Sequence, residues 1–181
     1  AAIFLPRLCT EHGLAGVISL GGSSGTAIAS AGMRALPIGF PRLLVSTMAG
    51  GNIGHYVGTQ DITIMPSVVD VSGLNRISRV VLSRAAGAIC GMVSVKPAVA
   101  GDRPVIVASM FGNTTGCINA AVPLLERAGY EVLVFHANGT GGRTMESLIG
   151  SGLVSGVLDV TTTELADELA GGVLSAGSDR G

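Results

Sequence analysis

Two glycine-rich segments of this sequence combine the residue types that hold a phosphate group. The first, residues 21–26, directly follows an apolar stretch at residues 14–20. Glycine lets the backbone approach an anion closely, and the free N–H groups that open a following helix point towards it. The segment is neither a Walker loop nor a GxGxxG fingerprint, and a tight strand-to-helix turn is the alternative. The predicted phosphate contacts are Gly21, Gly22, Ser23, Ser24, Gly25 and Thr26.

The second segment, residues 136–143, adds a positive charge to the same pattern. It follows an apolar strand, turns through three glycines and reaches Arg143, where a helix is predicted to begin. A guanidinium can bind phosphate through two parallel hydrogen bonds, and the alternative is that Arg143 is a solvated first-turn residue. The predicted contacts are His136, Gly139, Thr140, Gly141, Gly142 and Arg143.

Three further loops at predicted strand ends carry hydroxyl groups that could contact the same ligand. Residues 46–51 contribute Ser46, Thr47 and Gly50, residues 111–116 contribute Thr114 and Thr115, and residues 161–164 contribute Thr162. Helix capping is an alternative role for the second loop. It is the favoured role for the third, where Thr161 and Glu164 have the spacing of a capping box.

Candidate catalytic residues are weaker. His136 could act as a general acid or base, and Asp70 could hold a metal ion, but a lone histidine at a strand end is as often structural. Asp61 and Asp159 also lie near predicted strand ends. No set of metal ligands and no nucleophile is predicted, and the reaction is left open.

Strands that alternate with helices over short connections position these loops. The pattern predicts an α/β fold with parallel sheets, in which ligands bind beyond the carboxyl ends of the strands. It divides into a first domain at residues 1–95, a linker at 96–104 rich in proline and glycine, and a second domain at 105–181. A helix at residues 73–93 carries an apolar stripe that is predicted to be core: Ile77, Val80, Val81, Ala85, Ala88, Ile89 and Met92.

Composition limits the classes of partner. The net charge of −1 lacks the basic excess typical of nucleic-acid binding. Three widely spaced cysteines predict neither a disulfide framework nor a zinc site. No leader or membrane span is predicted, so the expected location is the cytoplasm. A mean hydropathy of +0.59 is high, which predicts a large subunit interface or a missing part of the chain. Both ends look abrupt, so each domain is expected to be incomplete.

Five segments together resemble a known family of bacterial, fungal and plant proteins. They read GGSSGT at 21–26, MRALPIG at 33–39, SVVDVSGLNR at 67–76, FHANGTGGR at 135–143 and GVLDVTTTELAD at 156–167. The sequence is similar over nearly its whole length to the family that includes the ATP-binding N-terminal domain of the tomato mosaic virus resistance protein. Members typically have glycine where Ser24 stands, proline at Gly116 and threonine at Asn138.

The resemblance implies two Rossmann-like domains, ATP binding and a homodimer. Independently of the resemblance, Mg²⁺ could accompany any bound triphosphate. The resemblance implies no established reaction. Two alternatives to simple nucleotide binding therefore stay open. One is a kinase, hydrolase or lyase acting on a small phosphorylated metabolite, and the other is a regulatory or interaction protein in which ATP is structural.

Overall fold

A computed structural model describes residues 1–96 and 101–180. The chain divides into two compact units, Ala1–Ala98 and Val99–Gly181. Each unit contains a three-stranded parallel sheet, and seven helices accompany them within the described residues. The predicted α/β class with parallel sheets is confirmed. Of the predicted linker, residues 97–100 lie outside the described part, and Lys96 and residues 101–104 form no helix or strand.

Three strands and four helices form the first unit. The order along the chain is α1 (Phe4–His12), β1 (Val17–Gly21), α2 (Ser23–Met33), β2 (Arg42–Ser46), α3 (Gly54–Val57), β3 (Thr63–Pro66) and α4 (Arg76–Ser94). The strands pair in the order β1-β2-β3, with Leu20 opposite Val45 and Val45 opposite Met65. All three therefore end at one edge of the sheet, where the loops predicted to bind phosphate begin.

Alternating residues of β2 build a core on each face of this sheet. Leu44 packs with Met33 of α2 and with Ile62, whereas Leu43 and Val45 pack against Ala85 of α4. Because successive side chains of a strand point to opposite faces, the uninterrupted apolar run of β2 is explained by burial on both sides. The first residue of the strand, Arg42, is also fully buried and pairs with Asp61. Asp61 is thus structural.

The predicted core stripe of α4 is only partly confirmed. Val81, Ala88 and Ile89 pack against the buried cluster around Ala85, but Ile77 and Val80 are exposed. The reason is that α4 contacts the sheet through its middle turns, while its first turn is fixed by a capping box between Asn75 and Ser78.

By length and apolar composition alone, α4 could also cross a membrane, and 17% of its most apolar window is buried in the protein. A single such helix is weak evidence, because core helices pass the same test. Its contacts with β2 bury the middle turns of the helix around Ala85.

The second unit repeats the strand–helix alternation. Its elements are β4 (Val105–Met110), α5 (Thr115–Arg127), β5 (Glu131–His136), α6 (Thr140–Gly150), β6 (Gly156–Leu158) and α7 (Thr163–Ala170). The strands pair in the order β5-β4-β6, and the central strand buries Val107 and Ala108.

Two differences from the predicted elements affect the candidate sites. Helix α6 begins at Thr140, three residues before the predicted start at Arg143, so Gly141 and Gly142 belong to its first turn. The capping box predicted at α7 is wrong, because the helix begins after Thr162 without a side-chain cap. Helices α1 and α3 were not predicted.

Candidate functional site

A cleft of about 610 Å³ opens at the carboxyl ends of β1, β2 and β3. Three loops contribute its walls, one after each strand. Its lining consists of Gly22, Ser23, Ser46, Thr47, Met48, Gly50, Pro66, Ser67, Val68, Val69 and Asp70. Five residues predicted as phosphate contacts, Gly22, Ser23, Ser46, Thr47 and Gly50, therefore lie in one cleft, together with the candidate Asp70.

The N-terminus of α2 opens onto this cleft. Gly22 is its N-cap residue and has no side chain with which to cap the helix. The first amide groups of a helix have no intrahelical acceptor, and in residues 1–96 the structure records no side-chain oxygen that accepts from Ser23, Ser24 or Gly25. These amides and the positive end of the helix dipole are available to an anion.

The glycines of the first two loops serve two different purposes. A Cβ at Gly21 would lie 2.7 Å from the backbone carbon of Gly25, so the fold itself requires glycine there. At Gly22 the nearest atom would be Thr47 Oγ1 at 3.7 Å, and at Gly50 there would be nothing within 4 Å. Neither has a positive φ. Internal packing therefore does not explain glycine at these two positions, which line the cleft.

Buried hydroxyl groups hold the first two loops together. The side chains of Thr26 and Ser46 share a hydrogen bond of 2.6 Å, and both are almost completely buried. Ser46 Oγ also accepts the N–H of Met48 at 2.9 Å. The buried hydroxyls of Thr26 and Ser46 thus fix the positions of the two loops.

The third wall consists of residues 66–70. Only Asp70 of this segment was predicted from the sequence, as a residue that could hold a metal ion, and the segment was not predicted to contribute to a phosphate site. The Ser67 N–H donates to the Ser46 carbonyl at 3.0 Å and its hydroxyl donates to the Val69 carbonyl at 2.7 Å. Asp70 is exposed, and its Oδ1 accepts the N–H of Val71 at 2.7 Å. Its carboxylate is the only charged side chain in the lining, which includes no lysine or arginine.

In the second unit, the loop predicted to bind phosphate is closed by a carboxylate of the protein. Glu164 Oε1 accepts the N–H groups of Gly139 at 2.7 Å and of Gly142 at 2.9 Å, and its side chain is fully buried. The N–H of Gly141 donates to Asn138 Oδ1 at 3.2 Å. Glu164 thus caps α6, and not its own helix as the capping-box pattern predicted.

Close packing explains all three glycines of this loop. Gly139 has φ +90 and would bring a Cβ to 2.9 Å from the Ser175 carbonyl oxygen. A Cβ at Gly141 would overlap the His136 carbonyl, and one at Gly142 would overlap the Glu164 carboxylate. Arg143 is exposed and donates its Nε–H to the Gly139 carbonyl at 3.1 Å. In this arrangement the loop faces the protein's own groups, which argues against the predicted phosphate site there.

A buried guanidinium neutralises the carboxylate that closes the loop. Arg180 lies 2.7 Å from both Glu164 and Asp159 and 3.1 Å from Glu146. Burial opposes ionisation of Asp159, but the hydrogen bonds from Arg180 and Ser109 and the charge of Arg180 outweigh it and lower the pKa of that carboxyl. Burial likewise disfavours the charged form of Arg180, yet its acidic neighbours raise the pKa of the guanidinium. The cluster ties β6, α6 and α7 to the segment that carries Arg180.

The remaining predicted residues of the second unit lie at its strand ends. The hydroxyls of Thr114 and Thr161 share a hydrogen bond of 2.7 Å, and Thr115 donates to the Phe111 carbonyl at 3.0 Å. The ring of His136 lies 5.0 Å from that of Phe111. Thr162 is exposed as the N-cap residue of α7. These contacts are within the fold. No group of histidine, cysteine, aspartate and glutamate suited to a metal ion occurs in the described parts of the chain.

Comparison with known proteins settles the family. Residues 1–98 match the model of the N-terminal domain of the Uncharacterised protein family (UPF0261), and residues 103–181 match that of its C-terminal domain. The chain belongs to the UPF0261 family. The resemblance inferred from the sequence is therefore confirmed.

Bacterial UPF0261 proteins and a plant protein are similar to this chain over almost its whole length. A UPF0261 protein of Clostridium tetani is 56% identical over 181 residues, which cover 99% of this chain and 45% of that protein. One of Rhizobium meliloti is 52% identical, with 99% and 44% covered. The ToMV resistance protein Tm-1 of Solanum lycopersicum is 48% identical, with 98% and 24% covered. The chain thus spans less than half the length of these relatives, and their names state no reaction.

Proposed function

We propose that the cleft of the first unit binds a nucleotide, ATP foremost, through its phosphates. The observation that supports this most directly is the uncapped N-terminus of α2, which opens onto a cleft lined by glycines that the fold does not require. Small-residue loops of this kind at the carboxyl ends of parallel strands are the usual place for phosphates in α/β proteins. ATP as the ligand comes from the family resemblance.

The charges around the cleft favour a triphosphate that carries its own cation. The lining offers amides and the hydroxyls of Ser23 and Thr47, but the only charge is the carboxylate of Asp70, which repels a bare phosphate. Mg²⁺ is held in proteins by one or two carboxylates together with phosphate oxygens and waters. Asp70 fits that donor set, and the metal would supply neutralisation of the phosphate charge.

The same lining favours binding over chemical transfer. Kinase, hydrolase or lyase chemistry needs a positioned acid or base, and Asp70 is the one titratable group in the cleft. His136, the other candidate, lies in the second unit and packs on Phe111. A regulatory or structural role for the nucleotide needs only the groups that line the cleft.

Self-association in the cytoplasm, as a homodimer, belongs to the same proposal. Its support is an apolar face on the outer strand β1, where Ile18 and Leu20 are 41% and 44% exposed. They lie opposite Leu43 and Val45 of β2 and so belong to the same face of the sheet. Helix α4 covers this face at β2 but leaves it partly exposed at β1. Neither nucleic acid nor membrane is needed as a partner.

Replacing Gly22 with valine tests the phosphate site. The fold leaves room for a side chain, but a branched one would occupy the place where phosphate approaches the α2 amides. Gly22→Val should weaken ATP by about tenfold or more, while the melting temperature should fall only by the small amount that valine costs at an N-cap. Gly87→Val is the control, because Gly87 lies on the exposed side of α4 with nothing within 4 Å.

Calorimetric titration of ATP and of inorganic tripolyphosphate into the full chain gives the measurement. The proposal predicts that both ligands bind the parent protein and that both weaken in Gly22→Val. Unchanged affinity for both in Gly22→Val, or no binding of either to the parent, would refute the proposed site.

A further inference from the structure

Val68 has a backbone conformation that valine rarely adopts. Its φ is +67, and among the described residues it is the only non-glycine with a positive φ. A left-handed conformation places the Cβ against the backbone, which costs free energy and is worst for β-branched side chains. Such strain persists where the surroundings impose it, and it concentrates at ligand-binding sites.

Packing within the fold does not account for valine at this position. The side chain is 73% exposed and faces the cleft. The segment is held by its neighbour Ser67, whose N–H donates to the Ser46 carbonyl and whose hydroxyl donates to the Val69 carbonyl. Glycine would adopt the same φ without strain and would lose no buried contact. The branched side chain therefore has no role in the folded protein alone.

The cleft presents this side chain beside other apolar groups. Met48 and Val69 line the same space and supply apolar surface, whereas Gly22 and Ser23 supply amide and hydroxyl groups. Inorganic phosphate or a sugar phosphate offers only polar surface. A ligand that satisfies both kinds of lining joins an anionic group to a flat ring whose face can pack against apolar side chains, as a nucleoside phosphate does.

We propose that Val68 is a ligand-contacting residue that packs against the base of a nucleoside phosphate and so selects nucleotides over other phosphorylated compounds. The inference rests on the proposed function and adds a contact to the base, the part of the ligand that the α2 amides do not bind. The strain at Val68 places its two methyl groups at the cleft surface before the ligand arrives, which reduces the ordering needed on binding.

Three variants separate the side chain from the backbone. Val68→Gly removes both the methyl groups and the strain, and Val68→Ala removes the methyl groups but keeps a Cβ and with it part of the strain. Val71→Gly is the matched control: it is another exposed valine of the same loop that is not part of the cleft lining and has no positive φ. Calorimetry on the full chain uses ATP, adenosine and tripolyphosphate.

We expect Val68→Gly and Val68→Ala each to weaken ATP and adenosine by about tenfold, with tripolyphosphate changed by less than about twofold. Val68→Gly should also raise the melting temperature by about 2–4 °C, whereas Val71→Gly should lower it. Val71→Gly should leave all three affinities unchanged.

Distinct results would overturn the inference and the proposed function. If the parent binds ATP and tripolyphosphate but neither Val68 variant changes ATP affinity, the inference fails and the phosphate site stands. Loss of ATP affinity in Val68→Gly but not in Val68→Ala also overturns it, because backbone order alone would then matter. If the parent binds no phosphate compound, both fail.

Discussion

The carboxylate of Glu164 lies directly against the backbone of Gly142. Its Oε1 accepts the Gly142 N–H at 2.9 Å, and a methyl group added at Gly142 would overlap Oε2. The acid comes from the first turn of α7 and the amide from the first turn of α6, so one side chain neutralises the start of another helix. In the first unit, by contrast, no side chain of residues 1–96 accepts a hydrogen bond from the corresponding amide groups of α2.

Gly142→Ala should therefore destabilise the second unit strongly. Displacing Glu164 would also leave the buried guanidinium of Arg180 incompletely paired, and breaking a buried ion pair costs about 3–5 kcal/mol. Chemical denaturation gives the free energy of unfolding. Gly150→Ala, at the other end of the same helix with nothing within 4 Å, should change it by less than about 1 kcal/mol. Similar small effects in the two variants would show that the Glu164 contact is not formed.

Acid should weaken the same cluster through Asp159. The folded-state pKa of this carboxyl is lowered, so its ionised form contributes stability above its unfolded pKa of about 3.9. That contribution is lost as the pH falls through the lower folded value. The difference in free energy of unfolding between the parent and Asp159→Asn should be constant from about pH 5 to 7 and should shrink below about pH 4. An exposed carboxylate, in Asp102→Asn, supplies the control, and a difference that grows on acidification would contradict the assignment.

Local patterns predicted most of the fold because the responsible forces are local. The apolar stretch at residues 14–20 contains most of β1, and the alternation of strands with helices predicted the parallel sheets. Helix α1 was missed since its N-cap residue, Ile3, gives no capping hydrogen bond and the helix buries no residue completely. Ile77 was assigned to the core from its spacing alone, but whether a stripe is covered depends on how far the sheet extends beneath it.

The two candidate sites differ for a reason that a sequence does not display. Gly22 and Gly142 both follow a strand and open a helix, yet the space beside Gly22 is open and that beside Gly142 is filled by Glu164. The partner of Gly142 lies 22 residues further along the chain, so no local spacing indicates it. The pattern of Thr161 and Glu164 indicated a capping box because that motif is local, and the long-range contact prevailed. Val68 carried no signal, since its φ follows from how Ser67 is held.

Self-association should depend on the exposed face of β1. The double variant Ile18→Thr, Leu20→Thr places a β-branched residue suited to a strand at both positions but removes much of the apolar surface. If this face is the interface, sedimentation velocity should show association weakened by about tenfold or more. Val134→Thr, at an exposed valine of β5, should behave as the parent. An unchanged concentration dependence in the double variant would exclude β1 as the interface.

Arg143 gives the sharpest test between the two phosphate sites. Its sequence context predicts a bidentate phosphate contact, and in that case Arg143→Ala should weaken ATP by about ten- to a hundredfold. The structure leads to a different expectation. The neighbouring amides of Gly139 and Gly142 donate to Glu164, and the Arg143 Nε–H donates to the Gly139 carbonyl.

Because an exposed arginine without an adjacent anion site contributes little, we expect Arg143→Ala to change ATP affinity by less than about twofold. Gly22→Val in the same titration should weaken it by about tenfold or more. Adenosine, which has no phosphates, should bind Arg143→Ala as it binds the parent. A large loss for ATP in Arg143→Ala would show that Glu164 releases the loop amides when a phosphate arrives. The loop of the second unit would then be a phosphate site in its own right, and Glu164→Gln should strengthen ATP binding by weakening the competing cap.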